Sequence, residues 1–141
     1  MRYRILQGIP YIFCGNKSIV NEKDFLLLVE KRKVRCLVLV KTGSANSLTP
    51  KTRSPYSETI DDAHSLIIHD KPMMSLITAL LYSNSRFSLP IVDGTNITDN
   101  IDIKLKSKLS DLKAVNEELA SFGLSLVEKE WMTSMLVIRD K

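Results

Sequence analysis

Two histidines and the carboxylates near them are the residues of this sequence best suited to bind a metal ion. His64 and His69 are five positions apart, and Asp61, Asp62 and Asp70 flank them. Imidazole and carboxylate groups are common ligands of divalent cations. The stretch that follows His64 is predicted to be a strand, however, and side chains five positions apart on a strand point to opposite faces. We therefore expect no metal site here.

Motifs for catalysis and for cofactor binding are missing from the sequence. Counting residues does not exclude a Ser/His/Asp triad, but no G-x-S-x-G nucleophile elbow occurs. The five glycines form neither a G-x-G-x-x-G motif nor a P-loop. Cys14 and Cys36 form no C-x-x-C motif, which leaves either a buried thiol at Cys36 or a disulfide in an oxidising compartment. We expect no catalytic residue and no cofactor.

A cluster of four basic residues and a single tryptophan are the candidate contacts with a partner. Lys31, Arg32, Lys33 and Arg35 separate two apolar runs. At the tip of a hairpin such a cluster either contacts phosphates or an acidic partner, or is solvated charge that discourages edge pairing. No aromatic residue lies within the cluster for base stacking, so solvated charge is favoured and nucleic acid is not expected. Trp131 either docks a partner or covers the edge of the core.

Two hairpins and a loop are predicted around these residues. Phe25–Glu30 and Val34–Val40 are predicted strands of an N-terminal β-hairpin, within the segment 1–41, with the basic residues at its turn. Leu124–Glu130 and Ser134–Asp140 form a second predicted hairpin that turns at Trp131. Residues 42–62 are predicted to be a mobile, cleavable loop or linker because Gly, Ser, Thr, Asn and Pro dominate them without apolar anchors.

Residues 63–141 predict a βαββαββ core. The first helix is predicted over Met73–Asn84, and Ile101–Leu105 alternates apolar and polar residues as a strand does. A second helix is predicted to start after an N-cap at Ser110 and to end at Gly123, which suits a left-handed backbone. Its apolar stripe is expected to face the sheet and to contact Leu136 or Val137 and Ile138. This stripe consists of Leu112, Val115, Leu119 and Phe122.

Length and composition predict one folded domain. At 141 residues, with 44% hydrophobic and 26% charged residues, the chain resembles ordinary folded proteins. The predicted class is α+β, with two helices packed on a mixed or mainly antiparallel sheet. The longest apolar runs are too short to span a bilayer. Gln7, Gly8 and Pro10 interrupt the first apolar stretch, so a secretory signal is not expected.

The order of elements and several motif residues resemble a family of uncharacterised bacterial cell-envelope domains. That family is related to the short N-terminal domain of secretins and TonB-dependent receptors. The likeness covers about residues 25 to 139. The matching positions are Pro90, Asp93, Gly94, Thr95, Ile101, Asp102, Leu119, Gly123, Leu124, Leu126, Leu136, Val137 and Ile138.

This resemblance implies a role without catalysis. The related domains lie in the periplasm or cell envelope and serve as signalling or docking modules. The resemblance therefore implies a protein partner and a protein-interaction function, with a sheet edge available for strand addition. Two alternatives come from the residues themselves. One is a small enzyme or enzyme accessory with a pocket near the 42–62 loop, and the other is a weak nucleic-acid or anion binder that uses the basic cluster.

Overall fold

The chain folds as two β-sheets and two α-helices, which confirms the predicted α+β class. The computed structural model describes residues 3–6, 9–14, 25–60, 64–84 and 89–140. The elements in chain order are β1 (Tyr3–Leu6), β2 (Ile9–Cys14), β3 (Phe25–Lys41), β4 (Tyr56–Ile60), β5 (Ser65–Lys71), α1 (Met73–Asn84), β6 (Ile91–Asp93), β7 (Ile101–Leu105), α2 (Leu112–Ala120) and β8 (Leu124–Asp140).

The strands are divided between a mixed sheet and an antiparallel sheet. The first has the order β1-β2-β8-β3-β6, with β2 parallel to β8 and β6 parallel to β3. The second has the order β4-β5-β7 and is antiparallel throughout. One hydrophobic core joins the two sheets and the two helices, because it contains residues from β3, β5, β6, β7, β8, α1 and α2.

The two hairpins predicted at residues 25–40 and 124–140 are wrong, because each segment is one continuous strand. β3 and β8 are both 17 residues long and pair antiparallel from Phe25 with Asp140 to Lys41 with Leu124. At about 3.3 Å per residue this ribbon is roughly 55 Å long. Neither predicted turn contains Gly, Pro, Asn or Asp, the residues that accept turn geometry. The N-terminal antiparallel pair is instead β1 with β2.

The segment 42–62, predicted as a loop without apolar anchors, is held to the core. Its second part forms β4, which pairs with β5. Its first part makes a short 3-10 turn over Asn46–Leu48, and Leu48 is buried in the main core. The premise that this segment lacks apolar anchors is therefore wrong, because Leu48 and strand β4 hold its described part. Its cleavage by a protease stays a prediction.

Helix α2 lies on the core as its apolar stripe predicts. Val115 and Leu119 are fully buried, and Leu112 and Phe122 pack partly buried against the same cluster. The N-cap is Asp111 rather than the predicted Ser110, since its carboxylate accepts from the backbone N–H of Ala114 at 3.2 Å. The described β8 residues in this core are Leu124 and Leu126, near the start of the strand, and Val137 is buried but is not part of this cluster. The side chains of residues 136 and 138, the other expected contacts, lie outside the described ones.

The opposite face of the ribbon carries a second buried cluster. Val34, Cys36, Val38 and Met135 form it, and Trp131 packs against it. Cys36 is a free thiol, so the disulfide considered with Cys14 is not formed. Burial raises the pKa of this thiol. Cys36 therefore belongs to the packing of the sheet rather than to a redox site.

Candidate functional site

A threonine, a histidine and an aspartate form a continuous chain of hydrogen bonds on the solvent side of the three-stranded sheet. Thr52 Oγ1 lies 2.6 Å from His69 Nε2, and His69 Nδ1 lies 2.7 Å from Asp102 Oδ1. Thr52 comes from the segment before β4, His69 from β5 and Asp102 from β7. The order hydroxyl, imidazole, carboxylate is the arrangement in which a histidine acts as general base toward a hydroxyl. We call these residues the Thr52 triad.

A β-bulge in β5 positions the histidine and the aspartate. The register between β5 and β7 shifts between Ile68 and Lys71. Within the bulge Asp70 has a φ of 48°, a left-handed backbone that aspartate tolerates better than most residues. The bulge removes Asp70 from the regular ladder, and its N–H donates instead to Asp102 Oδ1 at 2.9 Å. The irregularity thus gives Asp102 a backbone donor beside the imidazole.

The bulge also buries the carboxylate of Asp70 beneath two polar partners. Asn100 Nδ2 donates to the Asp70 Oδ1 and to its backbone oxygen, both at 3.1 Å. The guanidinium of Arg53, on the residue after Thr52, lies 3.4 Å from the same Oδ1. Arg53 is 81% exposed while the Asp70 side chain is 4% exposed. The arginine therefore reaches from solvent to the bulge and has further N–H donors to spare.

The environment of Asp102 fixes the tautomer of His69. Burial raises the pKa of Asp102, but hydrogen bonds from the backbone of Asp70 and Lys51 and from His69 outweigh burial, so this pKa lies below its ordinary value. An ionised carboxylate only accepts hydrogen bonds, so His69 Nδ1 must carry a proton toward it. In the neutral ring the lone pair is then on Nε2, facing the hydroxyl of Thr52.

We expect acid to destabilise the protein partly through Asp102. A carboxylate whose pKa is lower in the folded chain contributes stability above its unfolded pKa, near 4, and loses it as the pH falls through the folded pKa. The contribution of Asp102 is therefore present at neutral pH and disappears below about pH 4. Asp102→Asn should flatten the fall of the unfolding free energy between about pH 5 and 2, measured by urea titration at each pH. An acid slope identical to that of the unmodified chain would contradict this.

A groove lies on the other side of the same small sheet, between helix α1 and strand β4. Its volume is about 860 Å³, within the range of ligand-binding clefts. Ser57 and Thr59 from β4 and Leu66 from β5 line one side, and residues of α1 line the other. We call this the α1–β4 groove. The α1 residues that line it are Met74, Ser75, Thr78, Ala79, Tyr82 and Ser83.

The predicted basic cluster lies in the middle of β3 and is largely neutralised. Arg32 pairs with Glu30 at 2.9 Å. Two ion pairs cross to β8, from Lys33 to Glu130 at 3.4 Å and from Arg35 to Glu128 at 2.6 Å. Lys31 is exposed on the same strand. Cross-strand carboxylates thus account for Lys33 and Arg35 on one face of the ribbon, a carboxylate of the same strand accounts for Arg32, and the hairpin tip at which the cluster was predicted to lie does not exist.

Trp131 lies against the core of the ribbon. It is half-buried, is paired with Val34 across the strands and packs on the second buried cluster. The Lys129 ammonium lies 5.2 Å from its ring centroid, a distance typical of a cation–π contact. Gly94 lies beneath it, since a Cβ built there would be 3.3 Å from the Trp131 ring. Of the two interpretations given to this residue, the contacts match the cover for the core edge.

The hypothesis of a metal site has no geometric support in the described part of the chain. Within that part no three His, Cys, Asp or Glu side chains are arranged to hold a metal ion. Asp61 and Asp62 lie outside the described residues. His64 is exposed, while His69 is committed to Thr52 and Asp102.

Sequence reasoning recognised His69 but not its partners. Thr52 and Asp102 are separated from it by 17 and 33 positions. The sequence pattern marks Asp102 only as a polar residue of an alternating strand and as a match to the envelope family. Three segments are brought together by sheet pairing, so no local spacing could have indicated the triad.

None of the protein-family models, curated proteins or solved structures compared with this chain matches it. Of the helices that the structure describes, none has the length and apolar character needed to cross a membrane. The site is therefore interpreted from its own geometry.

Proposed function

We propose that this chain is a protein-interaction module that binds an extended segment of a partner protein along strand β4, beside helix α1. The observation that carries the proposal is the α1–β4 groove next to an edge strand. β4 is the outermost strand of the antiparallel sheet. An edge strand presents backbone N–H and C=O groups that a partner strand can pair with. The proposed role requires no catalysis.

The helix side of the groove presents apolar surface to solvent. The side chains of Met74 and Tyr82 are 57% and 87% exposed. They are two turns apart with Thr78 between them, so they lie on one face of α1. Two of the three β4 side chains that line the groove, Ser57 and Thr59, are small, and the third is Glu58. A strand added to β4 would place alternate side chains between this floor and the helix.

Neighbouring groups lie against parts of two other strands, β8 and β7. The amide of Asn116 on α2 accepts from Leu126 N at 2.8 Å and donates to Leu126 O at 3.3 Å, so it covers β8 as a neighbouring strand would. The 3-10 turn that contains Leu48 contacts β7. No described strand pairs with the outer edge of β4.

Charge contributes little to the proposed recognition. The groove is lined by one carboxylate, Glu58, and one ammonium, Lys71. Lys71 Nζ donates to Ser57 Oγ at 3.2 Å, and Glu58 accepts from Tyr56 Oη. Main-chain pairing and apolar contact are therefore the expected sources of affinity. The resemblance to cell-envelope domains supports a partner in the periplasm or envelope of a bacterium.

Peptide selection followed by hydrogen exchange tests the proposal. Extended peptides selected from a random display library should protect the backbone amides of β4 when bound. Thr78→Arg, at an exposed groove position, should abolish binding by filling the groove. Ala120→Arg, exposed on α2 outside the groove, is the matched control and should bind normally.

Two results would overturn the docking role. One is that no peptide is enriched against the folded chain. The other is that enriched peptides bind the Thr78→Arg variant as tightly as the unmodified chain. Circular dichroism of both arginine variants checks that the fold is retained.

A further inference from the structure

We propose that Thr52 is a nucleophile, activated by His69 and Asp102, that accepts an acyl group from small activated esters. This activity is separate from the docking role and departs from the expectation of a chain without catalytic residues. The Thr52 triad lies on the solvent side of the small sheet, and β4 and β5 separate it from the α1–β4 groove. The two proposals can therefore succeed or fail independently.

The hydrogen-bond geometry meets the requirement for general-base activation. The distance of 2.6 Å from Thr52 Oγ1 to His69 Nε2 is short enough for direct transfer of the hydroxyl proton to the ring. At 2.7 Å from His69 Nδ1, Asp102 Oδ1 can orient the ring and stabilise it once it is protonated. Two backbone groups hold Asp102 in addition, Asp70 N at 2.9 Å and Lys51 N at 3.1 Å. The carboxylate is thereby fixed in the position that orients the imidazole.

The hydroxyl is reachable from solvent, and an arginine follows it in the chain. Thr52 is exposed, so an ester can approach it without displacing core residues. Arg53 follows it in the chain and points a mostly exposed guanidinium toward the bulge. Guanidinium N–H groups stabilise negative charge that develops on a carbonyl oxygen. Thr52 is not among the residues that line the α1–β4 groove. Since that groove offers no binding cleft beside the hydroxyl, a small acyl group is the expected substrate.

The reaction is ordinary acyl transfer. Thr52 Oγ1 forms a bond to the ester carbonyl carbon while its proton moves to His69 Nε2, and the carbonyl oxygen becomes an oxyanion beside Arg53. The bond to the leaving alcohol then breaks, and the alcohol takes the proton from Nε2. A water molecule repeats the sequence on the acyl-threonine, which releases the carboxylic acid and restores the hydroxyl.

A purely structural role for the same contacts makes a different prediction. The bonds from Lys51, Thr52 and Arg53 also tie this segment to the sheet. If these hydrogen bonds only held the segment in place, Thr52 would be no more reactive than any other exposed hydroxyl. Reactivity of one hydroxyl that depends on His69 therefore separates the two roles.

The test uses p-nitrophenyl acetate with the full chain. We expect an acetyl group on Thr52 by peptide mass spectrometry, and p-nitrophenolate release that falls about 100-fold in Thr52→Val and His69→Gln, a typical contribution of general-base catalysis. Thr52→Ser, with a less hindered hydroxyl, should restore release. Since histidine side chains attack this ester unaided, His64→Gln is the matched control and should react like the unmodified chain.

The proposal is overturned if release in Thr52→Val equals that of the unmodified chain, or if acetylation is spread over surface lysines and hydroxyls without preference for Thr52. Thermal melts of each variant show whether the chain is folded. Thr52→Val and Thr52→Ser alter an exposed residue, so the comparison between them stands even if His69→Gln is unstable.

Discussion

Replacing Leu119 by alanine should lower the free energy of unfolding by about 2–5 kcal/mol. Leu119 is fully buried on α2, in the cluster that also contains Leu39 of β3 and Leu126 of β8. Truncation removes three methylene-sized groups and leaves a cavity between the helix and the mixed sheet. A loss of this size is a large share of the stability of a typical domain. Urea denaturation measures this loss, and the dependence of the unfolding free energy on urea concentration should stay unchanged.

Lys113→Ala is the matched control on the same helix. Lys113 is exposed and is outside the buried cluster, so its truncation should change stability by less than about 0.5 kcal/mol. Equal, small effects of both substitutions would mean that α2 does not pack through Leu119. In that event the arrangement of the two helices on the sheets would be wrong.

Replacing Gly123 by alanine should also be strongly destabilising. Gly123 has a φ of 72°, and a Cβ built on it would lie 2.6 Å from the backbone oxygen of Ser44. The left-handed backbone costs about 1–2 kcal/mol for a residue with a Cβ. Displacing the Ser44 backbone adds about 1–3 kcal/mol, as overpacking does. The Thr42 N–H, which donates to Gly123 O at 2.8 Å, links the helix end to the end of β3.

Gly43→Ala is the control for this substitution. Gly43 lies in the same contact region, but a Cβ there would meet nothing within 4 Å. Alanine at this position should leave the free energy of unfolding unchanged or raise it by up to about 1 kcal/mol, because alanine restricts the unfolded chain more than glycine does. Thermal melts of the pair decide the matter, since similar melting temperatures for the two variants would show that the turn after α2 has a different backbone.

Local patterns predicted several elements of the C-terminal half closely. The helix bounds Met73–Asn84 and the strand bounds Ile101–Leu105 agree with the structure. The left-handed Gly123 and the buried Val115 and Leu119 agree as well. These features follow from side-chain periodicity and from the conformational freedom of glycine. Both act over a few residues, so both can be predicted from spacing alone.

The two long strands show where local interpretation failed. The charged run Lys31–Arg35 separates two apolar runs, a pattern that predicts a turn between two strands. In the structure Lys33 and Arg35 are balanced by Glu130 and Glu128 on the neighbouring strand. Carboxylates nearly a hundred positions away in sequence make a charged stretch compatible with a continuous ribbon. The absence of turn-forming residues was the signal that could have corrected the prediction.

The sequence by itself determined the α+β class, the helices and the apolar faces that build the core, because these depend on the order of neighbouring residues. Tertiary structure alone decided the Thr52 triad and the α1–β4 groove. The triad joins three segments through a bulge in β5, where the N–H of Asp70 leaves the ladder to bind Asp102. The groove exists because α1 lies beside β4, where Ser57 and Thr59 are small side chains. Both arise from the pairing of distant segments, a three-dimensional relation that spacing along the chain does not encode.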